Sequence, residues 1–395
     1  MFRIQTLNNI SQQGLKFFTE DYQISSEAGG SPDALLVRSA LVDAEGYPTV
    51  QAIARAGAGV NNITIDKATE QGICVFNTPG ANANAVAELV FIMLGIAARK
   101  VHHSIEFTNS LAGEDDDKVL NEKVEKGKSR FAGFEMMGKT LVVIGLGKIG
   151  VLVANAGVSR GMHVIGYDPF PTLTNAHALD SRVEMSHKLD DVIRAADVIS
   201  VHVPLSEHTK NLIGAKQLET ARDGIILLNY ARKGIYDDAA VLKAIESGKV
   251  GSYITDFPSK ALYGHDKVIM TPHLGASTAE SEENCAVMAV KQVRNYLEYG
   301  VIHNSVNFPV VEVFPQDSTK TRVIVINRDV PNMIALITKV FGGAGLNIQS
   351  FTNESNGKVG YNIIDLEQDL PAGVEEALKA IENVVRVRVL RFPGK

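Results

Sequence analysis

The sequence predicts an α/β chain in three parts, and three observations carry that prediction. Short β-branched apolar runs alternate with helical segments from residue 2 to residue 271, the pattern of sheets covered by helices. One of those runs opens directly onto a G-x-G-x-x-G turn, and the strand after it ends in an acid. Beyond residues 309–320, which carry two prolines and Asp-Ser-Thr, the order becomes β-α-β-β-α-β, that of a ferredoxin-like fold.

Taken in order, residues 1–82 hold apolar runs at 2–7, 34–37, 50–54 and 74–77 without a glycine-rich phosphate loop. Arg38 and Arg55 stand at the ends of two of these runs. The carboxyl ends of strands in an open α/β sheet face the ligand crevice, so both are anion-binding candidates; the plain alternative is a solvated or surface-paired arginine. Gly57 and Gly59 make a loop whose backbone can approach a ligand closely. The turn-rich NTPGANAN at 77–84 precedes a helix expected over 85–100, and Asn82 or Asn84 either caps that helix or touches substrate. The charged residues 114–128 read as a solvated connection.

Residues 139–168, KTLVVIGLGKIGVLVANAGVSRGMHVIGYD, form one complete mononucleotide-binding unit. Gly145 permits the tight turn, Gly147 lets backbone reach a pyrophosphate, and Gly150 allows close packing of helix on strand; Lys148 and Ile149 complete the turn. The phosphates would rest on the free N–H groups at the helix start. Asp168 ends the second strand, where a carboxylate accepts bonds from the ribose hydroxyls and repels a 2′-phosphate. The next residues are Pro169 and Phe170 and not arginines, so the expected cofactor is NAD.

The alternation continues with helices expected over 189–196, 209–220 and 237–247, and strands over 197–203, 224–228, 251–255 and 268–271. Their loops HVPLSEHT, NYARKG, DFPSK and TPHLGAS would open on one edge of a parallel sheet. A dinucleotide beside a cation-lined crevice implies hydride transfer, which requires a proton acceptor and a cation for a carboxylate. His273 is the candidate base, since an ordinary imidazole titrates near about 6.5. Arg232 is the candidate bidentate partner of a carboxylate. A long helix over 279–297 follows, and the last unit is expected as strands at 322–326, 347–353, 360–366 and 384–390 with helices at 332–341 and 373–381.

Composition narrows the classes. The 395 residues suffice for two to three domains, and the net charge of −6 carries no basic footprint for nucleic acid. Cys74 and Cys285 lie far apart, which indicates neither a disulfide framework nor a zinc site; no metal is expected. No apolar run reaches the length of a membrane span, and a cytoplasmic protein is expected.

These motifs carry a resemblance. VRS at 37–39, ARAGAGVNNI at 54–63, GKTLVVIGLGKIG, ADVISVHVP, NYARKG and TPHLGAS resemble those of the D-2-hydroxyacid dehydrogenase family, over nearly the whole chain, and most of all its phosphoglycerate branch. The resemblance implies a Rossmann-like NAD domain at 83–274 inserted in a flavodoxin-like substrate domain at 1–82 and 275–308. The C-terminal unit, 319–395, is similar to an ACT domain, a regulatory module. By motif position Arg232 and His273 match the catalytic pair, Arg38, Ser39, Arg55 and Asn82 match substrate positions, and His202, Pro204, Thr209, Asn229, Ala231 and Asp256 match cofactor positions. The implied reaction is NAD-dependent oxidation of 3-phospho-D-glycerate to 3-phosphohydroxypyruvate, the opening step of serine biosynthesis. The rivals are another D-2-hydroxy acid and a non-catalytic NAD-sensing protein. A homodimer or homotetramer is expected.

Two departures stand out. In the family a glutamate after the Asp256 position pairs with the catalytic histidine, but here Lys260 or Ala261 occupies that place; Glu280, Glu282 and Asp266 are nearby in sequence only. An amino-acid effector at the ACT domain would meet Asn327, Asp329 and Asn332 where the serine-inhibited bacterial form is expected to carry His, Asn and Gly; only Asn347 agrees. Weak serine binding, or another ligand, is the expectation.

Overall fold

The computed structural model describes residues 1–27 and 30–392 and divides into two compact units, Met1–Asn82 with Ala279–Lys395, and Ala83–Thr278. Residues 28–29 of the expected first segment and 393–395 of the expected last one lie outside the described residues.

The chain begins with β1 (Phe2–Thr6), α1 (Gln12–Leu15), β2 (Tyr22–Ser25), β3 (Ala34–Val37), β4 (Ala52–Arg55), α2 (Ile65–Glu70) and β5 (Cys74–Phe76). The strands form a parallel sheet in the order β2-β1-β3-β4-β5. Every residue of β3 is buried, which is why it reads as an unbroken apolar run. Strand β2 was not expected from the sequence. It lies at the sheet edge and buries only Tyr22, so no apolar alternation develops in it.

The second unit runs α3 (Ala83–Ala98), α4 (Val101–Asn109), α5 (Asp117–Gly127), β6 (Thr140–Ile144), α6 (Lys148–Ser159), β7 (His163–Tyr167), α7 (Leu173–Ala178), β8 (Glu184–Ser186), α8 (Leu189–Ala195), β9 (Val198–Val201), α9 (Ala215–Thr220), β10 (Ile225–Asn229), α10 (Asp238–Glu246), β11 (Val250–Thr255) and β12 (Val268–Met270). Its seven strands are parallel in the order β12-β11-β10-β9-β6-β7-β8. Alternate residues feed two cores: Val142, Ile144, Ile199 and Leu227 on one face, Leu141, Val143, Val198 and Leu228 on the other. Strand order reverses between β6 and β9, the crevice where open sheets bind ligands.

Three expectations change here. The helix expected over 85–100 ends at Ala98, and Lys100, at φ 50°, separates it from α4. The helix expected over 209–220 begins only at Ala215. The solvated connection expected over 114–128 contains the helix α5, whose start is capped by the Asp116 carboxylate accepting from Lys118 N (2.8 Å) and Val119 N (3.2 Å). None of its residues is buried, so its charged sequence gave no core-facing stripe to read.

After α11 (Ala279–Tyr299) and a stretch without regular structure over 309–320 apart from one bridge at Val311, the chain forms β13 (Thr321–Arg328), α12 (Met333–Gly343), β14 (Ser350–Ser355), β15 (Val359–Leu366), α13 (Val374–Lys379) and β16 (Val384–Arg391). The antiparallel sheet β14-β15-β13-β16 has the predicted β-α-β-β-α-β connectivity. Val323, Val325 and Ile364 face Ile337 and Phe341 of α12, while Ile324, Ile326 and Ile363 join Ala286, Val293 and Tyr296 of α11 in a separate core. Arg322 is fully buried and bidentate to Asp365 (2.7 and 2.8 Å), and its remaining amine donates to the Tyr299 and Val313 carbonyls, so the pair is matched and saturated. Among the described residues no helix is long and apolar enough to cross a membrane.

Candidate active site

The glycine turn after β6 is built by steric necessity. Gly145 has φ 91°, and a Cβ there would lie 2.7 Å from Val203 Cγ1 and 2.9 Å from the His202 carbonyl carbon. A Cβ on Gly150 would lie 1.9 Å from the Gly145 oxygen, so only glycine lets α6 approach β6 this closely. At Gly147, by contrast, a Cβ would meet nothing within 4 Å, and no side chain caps the helix that begins at Lys148 and runs through Ile149. That open cradle, with helix N–H groups facing it, fits a dinucleotide pyrophosphate.

Asp168 closes the cradle. One carboxylate oxygen accepts from Leu146 N and the other from Phe170 N, both at 2.8 Å, which fixes the acid beside the turn. After β9, His202 shares a 2.8 Å hydrogen bond between Nε2 and the Ser200 hydroxyl, while its buried Nδ1 has no partner among the described residues. Burial pushes its pKa down to about 3, so the ring is neutral. The loop continues through Pro204, whose carbonyl accepts from Thr209 Oγ1 at 2.6 Å; that hydroxyl also accepts from Ser206 N at 2.7 Å. The orphaned Nδ1 and the open cradle stand on adjacent strands, β9 and β6.

The candidate reactive groups follow β10, β11 and β12. Asn229, 2% exposed, donates to the Arg232 carbonyl (3.0 Å) and accepts from Ala231 N (3.3 Å), so its side chain brackets the loop that presents Arg232 to solvent. Arg232 itself spends one N–H on the Ala231 carbonyl at 2.7 Å. His273 is exposed in the left-handed region at φ 57°, its ring 5.0 Å from that of Phe257. Asp256, 2% exposed, holds this conformation: its carboxylate accepts from Thr271 Oγ1 (2.6 Å), Leu274 N (2.7 Å) and Gly275 N (2.7 Å), and its backbone oxygen accepts from His273 N (3.1 Å). Thr271 was not singled out in the sequence, although the TPHLG motif contains it. Among the described residues of this unit no carboxylate pairs with the His273 ring.

In the other unit, Arg38, Ser39 and Arg55 come together at the ends of β3 and β4. Arg55 Nε donates to the Arg38 carbonyl at 3.0 Å and its Nη1 to the Gly59 carbonyl. The backbone N–H groups of Arg38, Ser39 and Ala40 converge on Asn8 Oδ1 at 2.9, 2.9 and 3.0 Å, an anchor with no motif to announce it. The Arg38 guanidinium pairs with Glu282 in the first turn of α11, so that carboxylate, weighed as a partner for His273, serves an arginine 244 positions away. Cys285, one turn further on, is buried, and burial pushes its thiol up. Asn82 is half-buried, just before α3.

With this geometry in hand, comparison with known proteins is direct. The family described as D-isomer specific 2-hydroxyacid dehydrogenase, NAD binding domain, matches residues 107–275. D-3-phosphoglycerate dehydrogenase of Archaeoglobus fulgidus is 37% identical over 291 residues, covering 71% of this chain and 52% of that protein. The Escherichia coli K12 protein of the same name is 31% identical over 348 residues, covering 84% and 79%. The NAD+-bound 3-phosphoglycerate dehydrogenase of Entamoeba histolytica superposes with a TM-score of 0.60 at 26% identity, covering 78% of this chain and 98% of that one. The chain belongs to the D-isomer-specific 2-hydroxyacid dehydrogenase family, with NAD as cofactor. It spans about half the length of several curated relatives that it matches, including the archaeal one.

Proposed function

We propose that the protein oxidises the 2-hydroxyl of 3-phospho-D-glycerate to the ketone of 3-phosphohydroxypyruvate, the opening step of serine biosynthesis. The observation that carries this reading is that Arg232 and His273 are both exposed, after β10 and β12 of one parallel sheet, on loops pinned by Asn229 and Asp256. Bound NAD supplies the chemistry of accepting a hydride from C2. Gly145, Gly147, Lys148, Ile149 and Gly150 would hold its pyrophosphate, Asp168 its ribose, and His202, Pro204, Thr209, Asn229, Ala231 and Asp256 would line the rest of the site. His273 takes the proton from the 2-hydroxyl; Arg232 holds the carboxylate and steadies the oxygen that becomes the carbonyl. Arg38, Ser39, Arg55 and Asn82 receive the remaining anionic group. Two arginines beyond Arg232, at the ends of β3 and β4, supply positive charge for a second anionic group, which favours a doubly charged substrate.

In this reading residues 1–82 and 275–308 form the substrate domain, 83–274 the NAD domain and 319–395 the ACT domain, in a cytoplasmic homodimer or homotetramer. The names of the archaeal and bacterial relatives support the substrate. The test is NADH formation from 3-phosphoglycerate beside unphosphorylated glycerate. A kcat/KM higher for the phosphorylated acid by roughly a hundredfold, equivalent to about 2.7 kcal/mol, is expected. Equal rates would transfer the assignment to another hydroxy acid. No NADH from any D-2-hydroxy acid would leave a binding protein.

A further inference from the structure

Strand β16 is the edge of the C-terminal sheet, and along it runs a cleft of about 840 Å³, within the usual range of small-molecule sites. Arg386 and Arg388, two apart and therefore on one face of the strand, line it together with Arg391, Asp21 and Glu298. Among the described residues neither Arg386 nor Arg388 pairs with a carboxylate. Arg386 donates to the Val50 (2.6 Å) and Pro48 (3.3 Å) carbonyls; Arg388, 7% exposed, donates to the Tyr296 and Leu297 carbonyls at 3.1–3.2 Å. For Arg388 the end of α11 provides compensation, since helix carbonyl ends carry partial negative charge. Arg386 has no helix end, and burial, with Arg388 close by, holds its pKa below the ordinary guanidinium value.

The acids of the cleft do not cancel this charge. Glu298 is already engaged, accepting from Tyr22 OH (2.6 Å) and Arg294 Nε (2.9 Å). Asp21 is exposed, and its side chain makes no hydrogen bond or ion pair among the described residues. A guanidinium offers five donors, and among the described residues Arg386 uses two. What remains is a half-buried cation with spare donors on the wall of a roomy cleft, a second cation behind it and Arg391 at the strand end.

We propose that this cleft binds a small polyvalent anion, a polycarboxylate or a phosphate, with Arg386 as its principal contact. Isothermal titration of the full chain at low salt, with NADH present, would use citrate and inorganic phosphate as separate probes; the tighter of the two identifies the acid group recognised. Saturable binding is expected for at least one. Arg386→Gln should weaken it roughly tenfold or more, whereas Arg386→Lys should retain most of it, because a buried anion left without its cation is disfavoured. Asp21→Asn, an exposed change that spares the fold, should strengthen it about two- to threefold by removing a like charge from the rim. Three results would overturn the proposal: no saturable binding of either probe below about 10 mM, a weak-binding limit of about 2.7 kcal/mol; binding indifferent to both Arg386→Gln and Asp21→Asn; or binding abolished by Arg38→Gln, which would assign it to the substrate site.

Discussion

Replacing Asp256 by Asn tests whether this buried acid sets the position of His273. The carboxylate accepts three hydrogen bonds with both oxygens, from Thr271 Oγ1, Leu274 N and Gly275 N. An amide keeps one oxygen, which can serve Thr271 and Leu274, but turns an N–H2 toward the Gly275 N–H. One charge-assisted bond worth about 1.5–3 kcal/mol is lost, and a buried donor is left facing a donor. Allowing for the weakening of the other two bonds, the loop loses about 3 kcal/mol. Expressed globally in a unit of this size, that lowers Tm by roughly 6–12 °C. A shift of His273 by about 1 Å costs on the order of a hundredfold in kcat. The measurements are a calorimetric melt and NADH formation at saturating NAD and substrate, with KM for NAD recorded separately. A variant that melts within about 1 °C of the parent and turns over within twofold would refute the positioning argument; a rise in KM for NAD alone would confine Asp256 to cofactor contact.

Asp168→Ala should weaken NAD binding roughly tenfold or more and narrow the preference over NADP, since it removes both the ribose acceptor and the acid that holds Leu146 N; equal use of the two cofactors by the parent enzyme would sink the assignment. His273→Ala should lower kcat by about a hundredfold or more with NAD affinity nearly intact, and a loss confined to affinity would remove its role as base. His202 has a folded-state pKa depressed by burial to about 3, so its stabilising contribution is complete above the unfolded value near about 6.5 and is lost as pH falls toward 3. Urea melts should therefore show an acid-side slope of up to about 1.4 kcal/mol per pH unit that His202→Asn reduces; an unchanged slope would contradict it. Serine should bind weakly, and half-inhibition at micromolar serine would show the Asn327, Asp329 and Asn332 loop to be misread.

The loop at Asn332 shows how far a sequence reaches. The serine-inhibited bacterial form is expected to carry glycine there, and the backbone at Asn332 takes φ 74°, a conformation that asparagine tolerates better than most residues. The sequence marked Asn332 only as a bulkier departure from the serine-inhibited form, so neither the positive φ nor the contacts were legible: Asn327 is buried and accepts from Asn362 Nδ2 at 2.7 Å, and Asp329 accepts from the Ser355 hydroxyl. The nucleotide unit offers a contrast. Gly145, Gly150 and Asp168 were readable because local sterics and charge dictate them. The three donors on Asp256 were not, since two are backbone groups that no side-chain pattern records. Asn8 was invisible for the same reason, as it binds only backbone N–H groups thirty and more positions away. The Arg38–Glu282 pair spans 244 positions, and nothing in either local sequence distinguishes it from two solvated charges.

Helix α11 is the element that gives these long-range pairings a common logic. Its first turn holds Glu282 against Arg38, beside the buried Cys285. Its middle, with Ala286, Val293 and Tyr296, packs against the face of the C-terminal sheet that carries Ile324 and Ile326. At its far end the carbonyls of Tyr296 and Leu297 accept from Arg388, and that of Tyr299 accepts from Arg322. Two arginines from two strands thus cap one helix, which suits the partial negative charge of its carboxyl end. Arg386 adds a second tie, to the Pro48 and Val50 carbonyls just before β4, the strand that ends in Arg55. Any movement of β16 must therefore be transmitted to α11 or β4, or else break hydrogen bonds made by guanidinium groups at about 1.5–3 kcal/mol each. Both routes end at the arginines proposed to hold substrate, Arg38 through Glu282 and Arg55 through β4. A C-terminal sheet attached in this way has a physical means of altering substrate affinity without touching the nucleotide cradle.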